Sequence, residues 1–317
     1  MKLDSTISAV VTGGASGLGR AAAEAISAKG AHVTIFDINE EKGLEVARQI
    51  GGLFCKVDIN SEASVLAGFD QARAKHGQER VLIHCAMSSR RGKTLAFDKA
   101  AGKLKRLSTE DYEAGVQGVL VASYRLASLS AEGMASLPAL EDDERGCIVL
   151  TASVAAQDGQ IGQVIYASAK AGVNGLVLPM ARDLSDLGIR VNAIMPGIFA
   201  TPLMLGASPQ VLQSLSASVP FPKRLGKPEE FGSLALELVT NSYLMANAFG
   251  LMAPSGWRHD RLRHNAGTRA PCRKLMPLQR QSLRLASAWS ARKSFAILRH
   301  AWPRLAGIGF LCACARP

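Results

Sequence analysis

The chain has 317 residues, 48% of them apolar, enough to bury a full core in one large domain or two small ones. A net charge of +11 and a pI near 9.6 would ordinarily point to nucleic acid or an anionic membrane. The excess is confined to the end, however: from Met245 onward 13 Lys and Arg face one acid, Asp260, leaving 24 basic and 25 acidic residues before it, so the body is near neutral and no nucleic-acid partner is expected.

In chain order, apolar β-branched runs at 7–12, 31–36, 53–57, 81–85, 147–151 and 189–194 alternate with helical patterns at 18–29, 40–50, 62–76, 109–130, 163–184 and 228–240. That alternation predicts an α/β fold, a doubly wound parallel sheet of the Rossmann type, in a single domain over residues 1–254. Residues 255–317 read as a basic, disordered tail. The Lys-rich stretch 88–108 and the acidic stretch 137–146 are expected to be surface insertions.

The turn Thr12-Gly13-Gly14-Ala15-Ser16-Gly17-Leu18-Gly19 joins the first strand to the first helix. A side chain at Gly13, Gly17 or Gly19 would block the tight turn or the approach of backbone amides to a pyrophosphate, so this is a dinucleotide-binding turn, with the phosphates at a helix N-terminus. Asp37 ends the next strand, where a carboxylate can accept hydrogen bonds from ribose hydroxyls and would repel a 2′-phosphate; this favours NAD over NADP. Tyr166 and Lys170 stand one helical turn apart on one face, so the ammonium is expected to lower the phenol's pKa toward neutrality. Ser153, just after the fifth strand, could hold a substrate oxygen beside the phenol.

No CxxC pair or metal-ligand spacing occurs among the six cysteines, so reduced thiols and no metal are expected. One lysine and then Asp4 precede the first strand, which leaves no room for a signal peptide, and the longest apolar run, 305–313, is too short to span a bilayer; a soluble cytoplasmic protein is the expectation.

The ordered set of glycine turn, Asp58 after the third strand, Ser153, Tyr166-x-x-x-Lys170 and Pro196-Gly197 resembles the short-chain dehydrogenase/reductase family over about residues 5–244. The runs 151–163 and 219–226 are similar to the type 2 3-hydroxyacyl-CoA dehydrogenases, which oxidise 3-hydroxyacyl-CoA thioesters, some acting on hydroxysteroids. The resemblance implies Ser153, Tyr166 and Lys170 as catalytic residues: the phenol takes the alcohol proton, the lysine lowers its pKa and holds the nicotinamide ribose, and the serine orients the substrate oxygen. It implies cofactor contacts from Gly13, Ser16, Gly17, Leu18, Gly19, Asp37, Asp58, Ala86, Tyr166, Lys170, Pro196, Gly197 and Thr201, with Gln160 and Gln163 facing the substrate. It also implies a homotetramer and a role in lipid metabolism.

Three departures from the family pattern stand out. His84-Cys85-Ala86-Met87 replaces Asn-Asn-Ala-Gly or Asn-Cys-Ala-Gly, putting a thioether where a glycine lies close to the cofactor; His84 itself reads as a satisfied strand-end residue. Val119 stands where the family's catalytic asparagine holds a water, which predicts on the order of a hundredfold loss of rate. The family's last strand, Gly-x-x-Ile-x-Leu-Asp-Gly, is missing from Met245 onward. Codons compatible with 245–253, read one base upstream, permit Gly-Glu-Cys-Ile-Arg-Leu-Asp-Gly, so a frameshift near Leu244 is inferred, damaging the last strand and the tetramer contact. These departures leave a catalytically impaired, cofactor-binding pseudoenzyme or an unproductive frameshifted product as the alternative to an active dehydrogenase.

Overall fold

The computed structural model describes residues 1–251; the tail at 255–317 lies outside them. Seven parallel strands form one sheet: β1 (Ser8–Thr12), β2 (His32–Asp37), β3 (Leu53–Lys56), β4 (Val81–His84), β7 (Gly146–Thr151), β8 (Ile189–Pro196) and β9 (Ala248–Leu251), in the order β3-β2-β1-β4-β7-β8-β9. Buried on both faces, these strands need the continuous apolar runs that the sequence displays. Helices α1 (Gly17–Ser27), α2 (Glu40–Ile50) and α9 (Pro228–Thr240) pack on one face through Ala22, Ile26, Val46 and Phe231. On the other, α3 (Glu62–His76), α5 (Ala122–Ala135) and α6 (Val164–Leu184) pack through Phe69, Leu126, Ala169 and Val173. Phe36 and Phe69, both fully buried, meet edge to face at 5.3 Å, each burial being worth about 2–3 kcal/mol.

Helix boundaries follow local chemistry. Asn39 accepts from Lys42 N at the start of α2, Glu40 and Glu41 occupy its first turn, and Gly51 ends it at φ 63°. The Ser61 hydroxyl caps α3 in the same way, and Glu230 reaches back to Lys227 N at the start of α9. α6 is the one described helix long and apolar enough to cross a membrane, yet Ile165, Ala169, Val173 and Val177 are buried within the fold.

The structure departs from several expectations and adds to others. The last strand is not missing: β9 pairs with β8, Ala193 opposite Ala248 and Pro196 opposite Leu251, because even the altered sequence supplies Phe249 and Leu251 to the core edge. The stretch 88–108, expected as a surface insertion, is an exposed antiparallel hairpin in its middle, β5 (Leu95–Asp98) and β6 (Lys103–Arg106). The predicted helix at 109–130 is α4 (Thr109–Val116) and α5 separated by a π-helical turn, Gln117–Val121. Helices α7 (Pro202–Leu205) and α8 (Pro209–Ser218) had no counterpart in the periodicity. The acidic stretch 137–146 ends in Glu144, which is buried, paired with Arg190 at 2.7 Å and with the Met1 ammonium at 2.9 Å. Arg190 also donates to the Leu238, Val239 and Leu244 carbonyls, tying β8 to α9.

Candidate active site

The chain order reverses between β1 and β4, which opens a crevice at the C-terminal ends of these neighbouring strands. The turn after β1, Asp37 at the end of β2, Asp58 after β3, Ala86 after β4, Ser153 after β7 and Pro196-Gly197 at the end of β8 all lie along this edge. A larger groove of about 1160 Å³, lined in part by Met1 to Asp4 and Glu144, lies near residues that precede β1 and β7, away from these groups.

The glycine turn is built for close approach. Gly13 and Gly17 have φ 67° and 55°, which L side chains rarely adopt; a Cβ on Gly13 would come 2.8 Å from Ala86 N, and one on Gly17 would come 3.2 Å from Thr201 Cγ2. Gly19 packs so tightly on the Gly13 carbonyl that a methyl there would overlap it. Ser16 begins α1 without using its hydroxyl as a cap, and no acidic side chain occupies the first turn, so the amides there suit an anion. Leu18 packs against the core beneath. Asp37 sits beside this turn, accepting from Ala15 N at 3.1 Å and from Asn39 N at 2.9 Å. Asp58 is exposed and accepts from Asn60. Thr201 starts α7 across from Gly17, and Gly197 N donates to the Leu251 carbonyl. These residues fit a dinucleotide: a cradle that a Cβ would fill, a carboxylate at one end and a buried lysine at the other.

On α6, the Lys170 ammonium lies 5.8 Å from the centre of the Tyr166 ring. Lys170 is buried and donates to the Thr151 carbonyl, and burial pushes its amine down to about 8, with Cys85 opposing. The expected lowering of the phenol by Lys170 is corrected. Burial raises Tyr166 above the usual tyrosine value, and the groups that partly offset the rise are the Ser153 hydroxyl beside it and the Arg91 guanidinium. Ser153 is itself buried, its Oγ accepting from Ala155 N at 3.1 Å. A hydroxyl and a phenol thus converge, able to hold and protonate one substrate oxygen.

The substrate side is partly as expected. Gln160 and Gln163 border a cavity of about 430 Å³ with Gly92, Lys93, Leu95 and Ala167. The Gln163 side chain is committed, however: its Oε1 accepts from Gln160 N at 3.0 Å and fixes the loop. Met87 is 40% exposed. Val119 lies 1% exposed within the π-helical turn, whose Gly118 has no Cβ and so lets the Ser88 carbonyl approach. His84 is only half satisfied: Nδ1 meets Thr12 Oγ1 at 2.7 Å, while the buried Nε2 has no partner among the described residues. Burial, then the Lys170 charge, hold His84 near 3, so it is no base. Sequence reasoning passed over Thr12, Arg91 and Thr151; the threonine directly preceding the glycine turn was the available signal for the first.

The family model described as short chain dehydrogenase matches residues 8–211. Among curated proteins, 3-hydroxyacyl-CoA dehydrogenase type-2 of Drosophila melanogaster is 42% identical over 237 residues, 74% of this chain and 91% of that protein. The Homo sapiens protein of the same name is 37% identical over 238 residues, 74% and 90% of the two chains. Among solved structures, 3-hydroxyacyl-CoA dehydrogenase type-2 from Mycobacterium avium superposes with TM-score 0.70 at 38% identity, covering 78% of this chain and 94% of that one. A 7α-hydroxysteroid dehydrogenase complexed with NADH and 7-oxo glycochenodeoxycholic acid superposes with TM-score 0.70 at 27% identity, over 80% and 95%.

Proposed function

Because the chain belongs to the short-chain dehydrogenase family, we propose that it interconverts a 3-hydroxyacyl-CoA and its 3-oxoacyl-CoA, with NAD as the hydride carrier. Family membership makes it an oxidoreductase with a nicotinamide cofactor and a small-molecule substrate. The observation that carries the finer reading is the convergence of the Ser153 hydroxyl and the Tyr166 phenol, with the buried Lys170 one turn further along α6. NAD supplies or takes up the hydride.

In the reducing direction Tyr166, raised by burial, is protonated near neutrality and gives its proton to the carbonyl oxygen, which Ser153 orients. In the oxidising direction the phenolate takes the proton back, its charge eased by the Ser153 hydroxyl and the Arg91 guanidinium. Gly13, Ser16, Gly17, Leu18 and Gly19 would hold the pyrophosphate, Asp58 and Ala86 would serve the adenosine, and Pro196, Gly197 and Thr201 the nicotinamide. The half-exposed Asp37 carboxylate accepts from the ribose hydroxyls and disfavours a 2′-phosphate. The cavity bordered by Gln160 and Gln163 is walled by Lys93 and Leu95, and the hairpin that starts at Leu95 carries exposed Lys99, Lys103, Lys105 and Arg106. Positive charge on this hairpin suits the phosphates of a long thioester.

Two comparisons test this. Acetoacetyl-CoA should be reduced with a kcat/KM at least about tenfold above that of acetoacetyl-N-acetylcysteamine, which lacks the phosphates, the loss of one charge-assisted contact. NADH should be preferred to NADPH, and Asp37→Ala should narrow that preference. Equal rates on the two thioesters contradict the acyl-CoA assignment; a preference for NADPH contradicts the role of Asp37.

A further inference from the structure

The hairpin of β5 and β6 is a sheet of its own, separate from the large one and exposed on both faces. Its register sets Leu95 opposite Arg106 and Phe97 opposite Leu104, so strand alternation puts Leu95, Phe97 and Leu104 on one face. They are 55%, 62% and 66% exposed. Between positions 93 and 106 the cations Lys93, Lys99, Lys103, Lys105 and Arg106 face a single acid, Asp98. Among the described residues none of these cations pairs with a carboxylate, whereas the neighbouring Arg90 does, with Asp111 at 3.4 Å.

Local bonds hold this shape without help from the core. Asp98 accepts from Ala100 N at 3.0 Å and from Ala101 N at 3.1 Å across the turn, which Gly102 completes at φ 63°. At the base, Leu107 N donates to the Thr94 carbonyl at 3.0 Å, and Gly92 N to the Gly162 carbonyl at 3.2 Å, which pins the hairpin to the loop before α6. Ile161 in that loop is 74% exposed and borders the same cavity as Leu95, so the apolar patch continues from the hairpin onto the loop. An apolar patch rimmed by charge, on a two-stranded ribbon that is marginal alone in water, marks a surface that meets a partner.

Charge complementarity selects the partner. Unpaired cations interleaved with leucine and phenylalanine match a surface that is anionic at the top and apolar just below, which describes the interface of an anionic bilayer. Nucleic acid offers the charge, but single strands bind on rows of aromatic platforms, and Phe97 is the one ring between positions 93 and 106. The same hairpin of a second copy would set like charges against each other. The phosphates of a thioester engage the cations yet leave Phe97 and Leu104 in water. We propose that residues 93–106 dock the protein peripherally on anionic phospholipid bilayers: Phe97 and Leu104 enter the headgroup region, and the lysines meet lipid phosphates. Docking in this way also brings Ile161 and the loop before α6 to the lipid surface.

The test uses the full chain and vesicles, with far-UV circular dichroism as the check that each variant is folded. Wild type should co-sediment with vesicles of phosphatidylcholine and phosphatidylglycerol in equal parts, should not do so with phosphatidylcholine alone, and should be released by high salt. Bound vesicles should slow amide hydrogen exchange at 94–106. The double variant Phe97→Ser, Leu104→Ser keeps every charge and should bind at least about tenfold more weakly. Lys103→Ala and Lys105→Ala should each weaken binding about fivefold. Wild type that ignores anionic vesicles overturns the proposal, and so does self-association that takes the place of vesicle binding, which would make a second copy the partner. Exchange slowed only outside 94–106, or a serine double variant that binds like wild type, overturns it too and assigns the attachment to cations elsewhere in the chain. No substrate enters these measurements, so they stand apart from acetoacetyl-CoA turnover.

Discussion

Replacing Lys170 by methionine should change how stability depends on pH. The buried amine titrates near 8 in the folded chain, against the usual 10.5. Below the folded value the fold carries the cost of a buried ammonium. As pH rises through 8 the folded amine loses its proton while the unfolded one keeps it, so stability grows until both are neutral above 10.5. Each pH unit over which the two states differ by a full proton contributes about 1.4 kcal/mol, so from about pH 7 to about pH 10 this group adds roughly 2.5 kcal/mol to the free energy of unfolding. Lys170→Met lacks the titration, and the two folded-state groups that the lysine also perturbs, His84 near 3 and Cys85 near 11, titrate outside this window. Urea unfolding followed by circular dichroism should therefore show wild type gaining about 2–3 kcal/mol on the variant between those two pH values. Parallel stability curves would refute the burial of a titrating ammonium beneath the active site, and with it the account of Lys170.

Tyr166→Phe removes the proton donor and should lower turnover roughly 100- to 10,000-fold, while NADH fluorescence titrations still saturate; retained turnover assigns the proton transfer elsewhere. Gly19→Ala places a methyl on the Gly13 carbonyl and should weaken NADH binding at least about tenfold in the same titration, an overpacking cost of about 1–3 kcal/mol. Glu144→Ala leaves the Arg190 guanidinium buried among carbonyls without its carboxylate and should cost about 3–5 kcal/mol in urea unfolding, most of it recovered in the double variant with Arg190→Met. A single variant within about 1 kcal/mol of wild type would show the pair to be replaceable by water.

The parts of this fold that were legible in the sequence are those written in local chemistry. Helices α2, α3 and α9 fall where their caps place them, because Asn39, Ser61, Pro228 and Gly51 act within one turn of their own position. The other six strands of the large sheet are readable because a sheet covered on both faces requires unbroken apolar runs. β9 was not, since Ala248 to Leu251 carries no strong pattern and becomes a strand only by pairing with β8. The π-helical turn at Gln117–Val121 depends on the Ser88 carbonyl approaching Gly118, a contact between distant segments. In the site, Ser153, Tyr166, Lys170 and the glycine turn were identifiable by type and spacing. The electrostatics were not: spacing brings an ammonium near a phenol, but only the burial of both shows that the phenol rises and the lysine falls. Glu144 shows the same limit, an acid in an acidic stretch whose neutralising partner, Arg190, lies on another strand.

Steady-state NADH oxidation driven by acetoacetyl-CoA tests the central claim most directly. Saturable turnover that disappears in Tyr166→Phe is the predicted result. NADH that binds, with its fluorescence changed, yet is not oxidised by acetoacetyl-CoA or by a keto-steroid would contradict it and leave a chain that holds the cofactor without performing the reaction.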